Sequence, residues 1–110
     1  MTKFETYSGA NGELYFRLVD DKGKVLLSSE GYKQKESVLN GIESVKKNLP
    51  LPTAIEKKTT EKGMHFFNVK STNGHVVGTS TMFDTPELRD KWLSDLQMEV
   101  PKMQVIDTIN

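Results

Sequence analysis

The feature that most constrains this chain is that it repeats itself. A single offset of 51 residues aligns its two halves without a gap, carrying Gly12 to Gly63, Phe16 to Phe67, Gly23 to Gly74, Val25 to Val76, Ser29 to Ser80, Glu36 to Glu87 and Pro50 to Pro101. Similar side chains fill the places between, as in Leu18 with Val69, Tyr15 with Phe66, Tyr32 with Phe83, Ile42 with Leu93, Val45 with Leu96 and Leu49 with Val100. The matches fall at turn glycines and at apolar positions of one period, where a shared backbone restricts residue choice. Duplication is the economical explanation, with one copy over about 1–52, its returning strand near 53–58, and the other over about 53–110.

Each copy reads the same way. Leu14, Phe16 and Leu18 alternate with Tyr15, Arg17 and Val19; Asp21-Lys22-Gly23 makes a turn; Val25, Leu27 and Ser29 then alternate with Leu26 and Ser28, which predicts a β-hairpin. In the second copy Phe67 and Val69 precede Thr72-Asn73-Gly74, and Asn-Gly suits the positive φ angles of a type I′ turn. An earlier strand near Phe4 to Tyr7 corresponds to Ile55 to Lys58. The period then becomes helical, through Val38, Ile42, Val45 and Leu49 in one copy and Leu88, Trp92, Leu93, Leu96 and Val100 in the other. Thr85 caps the second helix, Pro86 suits its first turn and Glu87 favours its positive end. Pro50, Pro52 and Pro101 end the helices, and short β-prone stretches follow at Thr53 to Glu56 and Gln104 to Asp107. The unit is three strands, a helix and a returning strand, giving one α+β domain over residues 1–110.

Composition bounds the function. A chain of 110 residues buries enough surface to fold without staples, and the absence of cysteine removes disulfides, zinc-thiolate sites and thiol nucleophiles together. A cytoplasmic protein is expected, because Met1 to Gly9 has no apolar signal core and no later stretch approaches a membrane span. Fifteen basic residues balance fifteen acidic ones, so no broad phosphate-binding field is expected. Lys33, Lys35, Lys46 and Lys47 are interleaved with Glu36 and Glu43, which reads as a solvated helix face.

Four features could carry function. Glycine within a helix is locally costly, so Asn40-Gly41 needs an offsetting contact: Gly41 lets the helix approach the sheet and Asn40 bonds a loop, with ligand contact as the competing reading. Ser28-Ser29-Glu30-Gly31-Tyr32 leads from strand to helix, where Glu30 and Tyr32 could help form a small polar pocket, although no base stands near in sequence to activate a serine. His65 falls on the alternation that faces the helices and His75 just after a turn, and their spacing matches no compact metal motif. If the helices cover the Phe16 face, then Tyr15, Arg17, Leu26, Phe66, Asn68, Val77 and Thr79 lie on the opposite, open face, with Tyr15 and Phe66 at equivalent places. Aromatic residues beside an arginine resemble the platforms that stack single-stranded nucleic acid, but the balanced charge argues against that, and a dimer contact or an ordinary half-wet sheet face explains the same residues. The expectation is a non-enzymatic binding or interaction module, with Tyr15, Arg17, Phe66, Asn68, Glu30, Tyr32 and Asn40 as candidate contacts and no catalytic residue, metal or cofactor nominated. A small enzyme is the competing class, and it would need a nucleophile and base in mutual reach.

The segments Gly12-Glu13-Leu14-Tyr15-Phe16-Arg17-Leu18, Gly23 to Tyr32 with its Ser-Ser-Glu-Gly-Tyr ending, and Asn40-Gly41-Ile42-Glu43-Ser44-Val45-Lys46-Lys47-Asn48 resemble the YegP-like family, the DUF1508 or UPF0339 proteins. That resemblance implies two tandem copies forming one antiparallel sheet with both helices on one face and the strands after the helices exchanged between copies. It implies no known activity. The second half departs from the pattern, with Lys91-Trp92-Leu93 in place of Asn-Gly-Ile and Thr81-Met82 in place of Glu30-Gly31.

Overall fold

The structure is a computed structural model that describes residues 2–109. Strands β1 (Lys3–Ser8), β2 (Leu14–Val19) and β3 (Val25–Ser28) form a meander leading into helix α1 (Lys35–Asn48). Strands β4 (Ile55–Thr59), β5 (His65–Lys70) and β6 (Val76–Ser80) lead in the same order into helix α2 (Pro86–Glu99), and β7 (Gln104–Asp107) follows. All seven strands make one sheet in the order β4-β5-β6-β3-β2-β1-β7. The two meanders join at its centre, where β3 and β6 run antiparallel with Leu27 opposite Ser80 and Ser28 opposite Thr79.

The sheet is mixed, which corrects the expectation of a wholly antiparallel one. Strand β7 lies parallel to β1, with Phe4 opposite Val105 and Thr6 opposite Asp107. The reason is where α2 releases the chain: the Glu99 carboxylate at the helix end accepts a hydrogen bond from the Thr2 hydroxyl at 3.2 Å. The chain therefore enters the sheet beside the start of β1 and runs the same way. A polar clamp then holds β7: Asp107 accepts a hydrogen bond from Thr6 at 2.7 Å, pairs with Lys35 at 2.7 Å, and accepts from the Ile109 amide at 3.1 Å.

Glycine sets the hairpin turns. Gly12, Gly23, Gly63 and Gly74 all have φ between 83° and 87°, and no other residue type among those described has a positive φ. The Asn73-Gly74 turn is therefore not type I′, which needs positive φ at both central residues. Ser71 and His75 close a three-residue loop, with the Gly74 amide donating to the Ser71 carbonyl at 3.0 Å and the Ser71 amide to the His75 carbonyl at 2.8 Å. This is the type I turn followed by a left-handed glycine.

Both helices contribute to a single core, together with Phe4, Phe16, Leu18, Leu27, Phe67 and Val69 from the sheet. A fully buried leucine or phenylalanine side chain stabilises by about 1.5–3 kcal/mol, so this face is where folding gains most. Two expectations about it are corrected. Leu26 and Val77, expected on the open face, are 1 % and 8 % exposed and belong to this core. The β2–β3 and β5–β6 registers shift between Leu18 and Val19 and between Val69 and Lys70, leaving Leu26 and Val77 as the extra residues of two β-bulges. A bulge breaks strict alternation and re-aims the side chain. In α2, Leu88 is exposed and Arg89 takes the inward position, its stem buried and its Nε 2.9 Å from Asp90. The expected cap is present, since the Leu88 amide donates to the Thr85 hydroxyl at 3.1 Å.

Gly41 is buried because α1 lies directly over the Tyr32 and Phe16 rings, which stack with centroids 6.4 Å apart. A β-carbon at 41 would stand 2.7 Å from the Tyr32 hydroxyl oxygen and 2.9 Å from Phe16 Cε2. Leucine recovers about 1 kcal/mol of helix propensity. Overpacking costs about 1–3 kcal/mol and wins, since Phe16 is wholly buried and cannot yield. Gly41→Leu is expected to lower the urea midpoint without altering the slope; a raised midpoint would contradict the close packing.

The Lys35 and Thr6 hydrogen bonds, with that of the Ile109 amide, lower the Asp107 carboxyl to about 2. A depressed carboxyl contributes stability that is complete above its unfolded value near ~3.9 and is lost as pH falls through the folded one. The melting-temperature gap between wild type and Asp107→Asn is therefore expected to be constant above that range and to close as pH approaches about 2. A gap that persists undiminished in acid would show that the clamp is not electrostatic.

Candidate functional site

Two surfaces carry the candidate residues. The first is the sheet face turned away from the core. Strand register lines up Glu56, Asn68, Thr79, Ser28, Arg17, Glu5 and Ile106 in one row across all seven strands. Much of this row is internally bonded. Thr79 donates to Asn68 at 2.9 Å, Asn68 to Glu56 at 3.2 Å and Arg17 to Glu5 at 3.1 Å. Lys70 lies 3.0 Å from Glu56, and the Lys70 and Asn68 hydrogen bonds hold the Glu56 carboxyl below its usual range. At the centre, Ser28, Ser29, Glu30, Val76, Gly78 and Thr79 border a shallow depression of about 250 Å³ along the β3–β6 seam.

To one side of that row stands an aromatic group. Tyr7 and Tyr15 face each other across β1 and β2 and stack at 5.4 Å, and the Arg17 guanidinium sits 4.8 Å from the Tyr7 ring centre. Both rings are half-buried, a state that leaves apolar area available to a partner. Phe66, the equivalent of Tyr15, is also half-buried but lies elsewhere. It is on β5, three strands from β2 and on the other side of the polar row, so the structure does not join Tyr15 and Phe66 in one patch.

The second surface is a groove of about 330 Å³ between α1 and the β5–β6 hairpin. Tyr32, Ser37, Asn40, Gly41 and Ser44 line it from the α1 side and Asn73, His75 and Val77 from the hairpin side, with Glu30 also in the lining. It brings Glu30, Tyr32 and Asn40 together, as the strand-to-helix corner suggested. Asn40, expected to bond a loop, is instead exposed and makes no side-chain hydrogen bond among the described residues. Burial pushes the Tyr32 hydroxyl up and the nearby Glu30 carboxylate adds to it, so the phenol stays a neutral donor. His65 is not in the groove, its Nδ1 lying 3.1 Å from the Thr59 hydroxyl.

Sequence reasoning missed Tyr7, Glu5 and the second-half contribution to the groove. The Tyr7–Tyr15 pair follows from the tight Gly12 turn, which fixes the β1–β2 register and was available as a signal. The arrival of Asn73 and His75 beside α1 follows from the β3–β6 seam, which leaves no mark in local sequence.

Comparison with known proteins agrees with this architecture. Residues 10–56 match the family described as Domain of unknown function (DUF1508). A UPF0339 protein from Stutzerimonas stutzeri, named for its position in the ptx operon 5′ region, is 40 % identical over 107 residues, covering 97 % of this chain and 96 % of its own. The solution NMR structure of yegP from Escherichia coli, described as a protein of unknown function, superposes with a TM-score of 0.88 at 31 % identity, over 97 % of this chain and 92 % of that one. The solution NMR structure of a Shewanella oneidensis UPF0339 protein also gives 0.88, at 29 % identity over 96 % and 90 % of the two chains. With full-length relatives at this identity and the same arrangement of strands and helices, the chain belongs to the UPF0339, or YegP-like, family.

Proposed function

We propose that this protein is a non-enzymatic binding module whose contact surface is the open face of the sheet, centred on Tyr7, Tyr15 and Arg17, and whose partner is another protein. The observation that carries this reading is the pairing of a half-buried tyrosine stack with an arginine on a face that neither helix packs against. Aromatic and arginine side chains of this kind dominate protein contact energetics. Nucleic acid is the weaker reading, because Arg17 and Lys70 already pair with Glu5 and Glu56, and phosphate would have to displace those carboxylates. The reading includes a single domain over residues 1–110, duplicated from a unit of about 52 residues with its closing strand exchanged, and a cytoplasmic setting. The correspondence of hairpins and helices in the two halves supports the duplication, and no helix among the described residues is long and apolar enough to cross a membrane.

The test compares wild type with Tyr7→Ser/Arg17→Ser. Immobilised full-length protein is expected to retain a saturable set of proteins from a bacterial lysate. The double variant should melt within a few degrees of wild type yet lose that set, as removal of a contact anchor costs about 2 kcal/mol or more of binding. Retention of the same set by both proteins would remove the tyrosine face as the contact surface. Tight, steeply salt-dependent binding of a fluorescent single-stranded oligonucleotide would replace the protein partner with nucleic acid.

A further inference from the structure

The residues that line the groove beside α1 differ from those at the matching positions of the other half. At the 51-residue offset, Gly41 corresponds to Trp92, Tyr32 to Phe83 and His75 to Lys24. Trp92 reaches from α2 toward the β2–β3 hairpin, where the Lys24 ammonium lies 5.7 Å from its ring centre. In the first half the Tyr32 hydroxyl stands against Gly41, 2.7 Å from where a β-carbon would be, and the groove of about 330 Å³ lies beside them.

We propose that this groove binds a small planar heteroaromatic molecule without a phosphate, such as a nucleoside or an indole, against the exposed edge of the Gly41 turn of α1. The site is on the helix side of the sheet and does not depend on the open-face reading. Three observations carry it. The lining includes the Gly41 backbone and the Val77 side chain, which offer apolar contact to one face of a ring. Around the opening stand the Tyr32 hydroxyl, the Ser37 hydroxyl, the Asn40 amide, the His75 imidazole and the Glu30 carboxylate, none with a side-chain hydrogen-bond partner among the described residues. These supply both donors and acceptors for the edge of a heteroaromatic ring. Among the described residues no lysine or arginine lines the groove, and the Glu30 carboxylate repels an anion, so the chemistry selects against nucleotides.

The test is an amide-shift titration of the full-length protein with adenosine, uridine, indole and adenosine monophosphate. Saturable shifts are expected for at least one of the three uncharged molecules, confined to the amides of Asn40, Gly41, Ser44, Gly74 and His75. The monophosphate should bind about tenfold or more weakly than adenosine if adenosine is the ligand, and Glu30→Gln should narrow that gap. Asn40→Trp, at an exposed helix position, should leave the melting temperature near that of wild type and weaken binding by about tenfold or more by filling the groove. The proposal is overturned if none of the uncharged rings gives saturable shifts, if shifts centre on Tyr7 and Tyr15, if the monophosphate binds as tightly as adenosine, or if Asn40→Trp binds unchanged.

Discussion

The β3–β6 seam is the interaction on which the rest of the molecule depends. Only Leu27 with Ser80 and Ser28 with Thr79 are in register there, yet this short antiparallel contact turns two meanders into one sheet. Its register places Ser28 beside Thr79 and so completes the polar row from Glu56 to Glu5. It also brings the Ser71–His75 turn of one half against α1 of the other, so the groove is built from both. Because side chains alternate with a period of two, a seam slipped by one residue would turn Leu27 out of the core and Ser28 into it. The buried Leu27, 0 % exposed, holds the register against that slip.

The two faces of the sheet obey different rules. On the helix side the constraint is close packing, which explains Gly41 against Tyr32 and Phe16 and accompanies the bulges that redirect Leu26 and Val77 inward. On the open side the constraint is polar satisfaction, met by hydrogen-bonded pairs running across the strands. Among the described residues, polar side chains without a side-chain hydrogen bond, such as Tyr32, Ser37, Asn40 and His75, cluster in the groove.

Much of this was legible from residue type and spacing. The glycine turns, the change of period before each helix and the Thr85-Pro86-Glu87 start each have one dominant physical reading. Strand alternation failed at Leu26 and Val77, since a bulge adds one residue with no change in composition. Hydropathy favours leucine over arginine inside, yet Leu88 is exposed; the 51-residue offset carries the right phase, setting Arg89 against the buried Val38 and Leu88 against Ser37. Tyr15 and Phe66 illustrate the converse limit. Equivalent residues of two similar halves need not be neighbours, and here the antiparallel seam separates them. The direction of β7 was also beyond local sequence, being set by where α2 ends.

On this account the seam makes the molecule one cooperative unit rather than two independent halves. Equilibrium urea unfolding followed by Trp92 fluorescence, which reports on α2, and by hydrogen exchange of the β1 and β2 amides tests this most directly. One midpoint and one free energy of global opening are expected from both probes. Separate midpoints, with the β1–β2 amides opening while Trp92 remains in its native environment, would contradict it.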